Sequence, residues 1–370
     1  MRSPSSIAYS LRKTKFLPVS LKRQVHIRKI MSAPGHQDIQ QQQQSSGKKK
    51  KSNNLSREGH VIPWDDLKSN YVDTHCHLFT TLAALKKDGD QSIPDNRIDL
   101  FVKQFFPKNC TSVVDIHCDL PLRDFHEQAV GLTEWPEGFK YHFSIGAHPH
   151  VAQDYTDDIH ETFVKTMSNP NCVAWGECGL DYFKNSPETH PIQREVFARQ
   201  LTAAVSLDKP IVIHTRDAPD DTLSLIRQHV PKSHNLHIHC FTSTAELARA
   251  ILVEYPNSFI GITGVVTYNG LEHVHELIIS GELPLERILL ETDSPYMVPR
   301  NAYDWLVKSR PEEKKRRFAI SHAGMIPFVA EKVAGWVNEG RIARGEEEIG
   351  IEEVLDITRR NAGRMYRMEV

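Results

Sequence analysis

Cysteine is scarce in this 370-residue chain, and no two of its six cysteines (Cys76, Cys110, Cys118, Cys172, Cys178 and Cys240) are spaced as Cys-x-x-Cys. A zinc ribbon and a disulfide scaffold are both excluded, and a reducing compartment is the natural setting. No run approaches the roughly 20 apolar residues that cross a bilayer, so the chain does not read as an integral membrane protein. No glycine-rich loop follows the first strand-like run, which counts against a dinucleotide-binding fold. Acidic residues are absent from residues 1–30, and residues 1–57 hold a single one, Asp38, against 13 lysines and arginines.

That imbalance divides the chain. The remainder carries 32 basic and 46 acidic residues, so the overall net charge of -2 conceals a basic tail on an acidic body. An acidic body is not a general nucleic-acid-binding surface, but it suits an enzyme whose site holds cations. Residues 1–30 have the composition of a mitochondrial presequence, interrupted by Pro18, and Met31 offers an alternative start. Gln40–Gln44 follow, then Lys48–Lys51, which has the character of a nuclear-import signal. A solvated, low-complexity tail accounts for the same composition. The compartment (cytoplasmic, nuclear or mitochondrial) stays open. We expect a disordered basic extension over residues 1–68 and a folded domain over residues 69–370.

Within that domain, short β-rich runs alternate with helical segments. The strand candidates are Tyr71–Leu78, Ser112–His117, Tyr141–His148, Cys172–Glu177, Ile211–His214, Leu236–Phe241, Ser258–Thr263 and Ile288–Asp293. The helical period is clearest over Ile192–Ser206, where Val196, Phe197, Leu201, Ala204 and Val205 share a face, and Thr242–Tyr255 is a second such segment. Eight strand–helix units in about 300 residues predict an α/β fold, a (β/α)8 TIM barrel. An open doubly wound sheet is the alternative.

The chemistry gathers at the strand ends. His75 and His77 in Asp73-Thr74-His75-Cys76-His77 stand two apart on a strand and so point to one face, an arrangement suited to a divalent metal. Glu177, His214, His239 and Asp293 each close an apolar strand run in the same way. In a barrel these positions converge on the C-terminal mouth, where active sites of this fold lie. A polar residue capping its own strand explains any one of them; it explains poorly six residues of ligand-type chemistry that converge.

These segments, with Gly146–His150, Gly176–Tyr182, Pro210–Ala218 and the C-terminal Asn361–Tyr366, resemble the TatD family of metal-dependent deoxyribonucleases over about residues 70–368. The resemblance implies phosphodiester hydrolysis, with 3'-5' exonuclease action on DNA the leading expectation. It implies two divalent ions, magnesium, manganese or zinc. His75, His77 and Asp293 would hold the first, His214 and His239 the second, with Glu177 bridging and Asp293 acting as general base. His148 matches a family histidine near the substrate phosphate, and Arg216 offers a bidentate phosphate contact, with a structural ion pair as its alternative. Asp73 and Asp181 are candidates to orient metal histidines; His117 and His237 read as structural. The resemblance also brings two other readings: a hydrolase of amides or other esters on the same barrel, and a scaffold that binds a helical-repeat partner of a cell-cycle ubiquitin ligase. The segments Thr81–Asn96 and Arg300–Arg317 read as long loops, and the basic residues of the second suggest either contact with a nucleic-acid backbone or a solvated charged loop.

Overall fold

The computed structural model describes residues 54–370 apart from residues 65, 88–91 and 185. The presequence-like segment, the glutamine run and the lysine run therefore lie outside the described residues. Eight strands form one sheet in the order β1 to β8, every neighbouring pair parallel. They are β1 Tyr71–Cys76, β2 Cys110–His117, β3 Lys140–Ile145, β4 Cys172–Asp181, β5 Ile211–Arg216, β6 Leu236–Ile238, β7 Ser258–Ile262 and β8 Ile288–Leu290. The helices are α1 Arg57–His60, α2 Leu78–Lys87, α3 Ile98–Phe105, α4 Phe125–Val130, α5 Asp157–Thr166, α6 His190–Ser206, α7 Pro219–His229, α8 Ala245–Glu254, α9 Glu272–Ile279, α10 Asn301–Ser309, α11 Ile326–Ala343 and α12 Ile351–Tyr366. The expected (β/α)8 barrel is the fold observed.

The strands are buried along nearly their whole length because helices cover the outer face and side chains fill the interior. Val72, Val114, Ala174, Val212, Phe259 and Leu289 form the inner layer, and Met365 and Tyr366 at the end of α12 pack into it. Asn361 donates to the carbonyls of Leu285 and Ile288, and Asn235 to those of Arg364 and Met365, which anchors this helix under the sheet. β1 and β8 are tied together by Asp73, whose carboxylate accepts from the Thr292 amide (3.0 Å) and hydroxyl (2.6 Å), and by the Asp293 amide donating to the His75 carbonyl (2.9 Å).

The described residues between 54 and 68, expected within the extension, instead pack on the folded body. Leu55 is 5% and Ile62 2% exposed; the Leu55 amide donates to the Arg317 carbonyl, and Trp64 Nε1 to the Gly324 carbonyl. The segment Arg300–Arg317 is the other half of this contact. It is largely helical (α10), and Arg310 donates to the carbonyls of Glu58, Gly59 and Val61, so this guanidinium serves the fold. Thr81–Lys87, read as loop, lies in α2.

Candidate metal centre

The strand ends bring His75, His77, Glu177, His214, His239 and Asp293 into one cluster. His75 Nε2 lies 3.5 Å from Glu177 Oε2 and 3.8 Å from Asp293 Oδ1; His77 Nε2 lies 3.4 Å from Asp293 Oδ1. His214 Nδ1 is 2.7 Å and His239 Nε2 3.7 Å from Glu177 Oε1. Three sets of ligand-type atoms lie close enough to share an ion: His75–His77–Glu177, His75–His239–Asp293 and His148–Glu177–His214. The grouping differs from the division read from the sequence, because His239 stacks on His75 (3.5 Å between centroids) and His148 stands beside His214.

Second partners determine which ring nitrogen faces the centre. His77 Nδ1 lies 3.3 Å from the Ile116 carbonyl, which takes its hydrogen and turns Nε2 toward Asp293. His239 Nδ1 faces Glu291 Oε1 at 3.2 Å, leaving Nε2 toward Glu177. His214 is turned the other way, with Nε2 3.5 Å from Asp181 Oδ2 and Nδ1 on Glu177. His148 Nδ1 accepts from the His150 amide (3.2 Å), so the neutral ring carries its hydrogen on Nε2. That nitrogen, 3.6 Å from Glu177 Oε1, is a donor.

The electrostatics are those of an anionic cavity lined by imidazoles. Burial pushes the Glu177 carboxyl upward, but His239, His148, His214 and His75 override it and hold the group well below the usual carboxylate range. Burial drives His75 down to about 4. His77 and His214 also lose solvation; the carboxylates of Asp293 in the one case and of Asp181 and Glu177 in the other outweigh that loss and raise both to about 9. His75 is fully buried, and neither of its ring nitrogens has a hydrogen-bond partner among the described residues. An orphaned imidazole facing two carboxylates is costly unless a cation completes the set. The donors therefore fit a divalent ion, and their mix of imidazole and carboxylate does not select which one.

The backbone at the site is held out of its relaxed range. Cys240 (φ 42°) and Asp293 (φ 50°) follow β6 and β8 in left-handed conformations, of order 1–3 kcal/mol each. The Asp293 amide is held by the His75 carbonyl and the Cys240 amide by Glu291. At Gly179 a Cβ would stand 1.9 Å from the His214 carbonyl oxygen, so β4 and β5 approach closely there only because the residue is glycine (φ 148°).

Of the other candidates, Asp181 does stand against His214 and also accepts from His150 Nε2 at 2.7 Å. Asp73 does not orient a ring; its carboxylate accepts from backbone and hydroxyl donors and joins β1 to β8. His117 pairs with Asp115 and Tyr141, outside the cluster. Arg216 makes no ion pair among the described residues, contrary to the structural alternative; its guanidinium lies 4.0 Å from the Phe183 ring centre. Sequence reading missed Glu291, whose oxygens face His239 and His237 (3.0 Å), with His237 reaching the Tyr366 hydroxyl at 2.7 Å. Its spacing two residues before Asp293 was the available signal. Cys118, with Sγ 3.8 Å from Glu177 Oε2, had none.

This constellation coincides with the sequence comparison. A family model described as TatD related DNase matches residues 72–367. The chain belongs to the TatD-related DNase family. It is thus a metal-dependent hydrolase of phosphodiester bonds. The human 3'-5' RNA nuclease TATDN2 is 33% identical over 246 residues, 66% of this chain; those residues span 30% of that longer protein. The 3'-5' ssDNA/RNA exonuclease TatD of Klebsiella pneumoniae (strain 342) is 35% identical over 216 residues, covering 58% of this chain and 73% of that protein. An uncharacterized amidohydrolase from Saccharomyces cerevisiae shares the fold, with a TM-score of 0.61 at 18% identity over 81% of this chain and 100% of that one.

Proposed function

We propose that the protein is a 3'-5' exonuclease that releases nucleotides from single-stranded DNA or RNA, using two divalent ions. The observation that carries this reading is the buried, unpartnered His75 facing Glu177 and Asp293 within a six-residue donor set. Although His239 also lies within reach of His75 and Asp293, Glu177 Oε2 faces His75 while its Oε1 faces both His214 and His239, so His75, His77 and Asp293 would hold one ion, His214 and His239 the other, and Glu177 would serve both. Two carboxylates and four imidazoles suit magnesium, manganese or zinc.

When bound, such ions supply polarisation of the phosphoryl oxygen and acidification of the attacking water. The chain's own residues do the rest. Asp293 accepts the water's proton on Oδ1, the oxygen nearest His77 and His75. His148 Nε2–H donates to a phosphate oxygen; burial first, then the neighbouring histidines, keep this ring neutral. Arg216 binds phosphate through its in-plane N–H groups. Glu291 and Asp181 hold His239 and His214 in the orientations that turn one nitrogen inward.

The polarity and the nucleic-acid class come from what the relatives named above are called. The helical-repeat partner draws no support from them. The test is release from single strands of DNA and RNA labelled at one end. Label at the 3' end should leave first as a mononucleotide; first release from the 5' end, or internal cuts alone, would contradict the proposal.

A further inference from the structure

We infer that Phe183 and Arg216 form a nucleobase-stacking subsite at the barrel mouth, and that the enzyme engages an unpaired base next to the phosphate it cleaves. The inference rests on the nuclease reading and adds to it how the substrate is recognised.

Phe183 is the one aromatic among the exposed large apolar side chains of the described residues, at 45% exposure. Its position is built. Asp181 Oδ1 accepts from the Phe183 amide (3.0 Å) and the Lys184 amide (3.1 Å). Gln193 brackets the Asp181 backbone, and the Tyr182 amide donates to the Arg216 carbonyl at 2.9 Å. The neighbouring Tyr182 ring is stacked on His190, with 3.6 Å between centroids. The turn thus secures Tyr182 against the body and presents Phe183 outward. The same Asp181 faces His214 and His150, so one carboxylate links this turn to the metal-ligand cluster.

Arg216 stands two residues after His214 on β5, hence on the same face and about 6.6 Å further along. Its guanidinium lies 4.0 Å from the Phe183 ring centre, and no hydrogen bond or ion pair of that side chain occurs among the described residues. Stacking occupies the flat faces of a guanidinium and leaves its five in-plane N–H donors for phosphate oxygens. A base on Phe183 and a phosphate on Arg216 are the two halves of one nucleotide. Every base has a π-face, so such a platform is tolerant of sequence. A base held in a duplex cannot reach it.

The test uses the full chain with manganese and two single-stranded DNA oligonucleotides, one with an ordinary 3'-terminal base and one with an abasic 3' end. Nucleotide release gives KM and kcat for the parent, Phe183→Ala and Phe183→Trp. A second readout is the quenching of 3'-terminal 2-aminopurine fluorescence in an oligonucleotide whose last linkages are phosphorothioate. Phe183→Ala should raise KM about ten-fold more for the base-bearing end than for the abasic end, and should relieve the quenching. Phe183→Trp should restore both. Equal effects of Phe183→Ala on the two ends, or quenching that persists in it, would overturn the subsite while leaving the nuclease reading intact. No release from either oligonucleotide by the parent would overturn the nuclease reading, and the subsite with it.

Discussion

Glu177 sits at the intersection of the cluster, within 3.7 Å of ring nitrogens of His75, His148, His214 and His239. Its charge is what four imidazoles and any ion share, and those imidazoles keep it ionised despite burial. Glu177→Gln preserves the shape and removes that charge. Metal content per chain after dialysis should then fall below that of the parent; full occupancy would contradict the bridging role. Residue by residue, the clustering of the candidate ligands was the most legible feature of the molecule, because a histidine or carboxylate immediately after an apolar strand needs only the barrel to acquire neighbours. Glu291 and Cys118 were not legible in that way. Glu291 has only its place two residues before Asp293, and its role depends on which nitrogen of His239 turns inward; that of Cys118 depends on how closely the end of β2 approaches Glu177, which no local spacing records.

At the scale of elements, every expected strand exists, and the errors are at the ends. β4 continues to Asp181, beyond the expected stop at Glu177, because Gly176 and Gly179 let it lie directly against Val212 and His214 of β5. β6 and β8 stop at Ile238 and Leu290, where the chain leaves the ladder to deliver His239 and Asp293 to the site. The described part of residues 54–68 escaped notice because Leu55, Ile62 and Trp64, the apolar residues it sets against α10, are too few to sustain one helical or strand period. Only its docking on α10 and Phe328 gives it meaning. That docking carries a pH dependence. His60 Nε2 accepts from the Ala319 amide, and His322 Nδ1 from the Gly324 amide, so both rings must be neutral. Burial lowers His60 from 6.5 to about 4 and His322 from 6.5 to about 3. The unfolded chain takes up these protons first, so the stability they contribute is full above about pH 6.5 and is lost as pH falls toward 4 and then 3. The denaturation midpoint should therefore fall more steeply between pH 7 and 5 in the parent than in His60→Gln. Equal slopes would remove His60 from this account.

For the whole molecule, the division of charge matters as much as the barrel. A body with 32 basic and 46 acidic residues gains little from long-range attraction to a polyanion. On the reading proposed above, recognition would then depend on the few groups at the mouth: the ions, His148, Arg216 and Phe183. Removing residues 1–53 should accordingly leave kcat on a short single strand unchanged, and a lost kcat with the fold preserved would assign the tail a part in catalysis. The basic segment before residue 54 is read from composition alone and lies outside the described residues. The most direct test of the central claim is nucleotide release from 3'-labelled single-stranded DNA by the full chain and by Asp293→Asn, each with manganese and again with excess chelator. Release by the parent with manganese, its loss on chelation, and a fall of about a hundred-fold or more in a folded Asp293→Asn are the predicted results. Release that survives chelation, or an Asp293→Asn variant that turns over at the parental rate, would contradict the metal-dependent site described here.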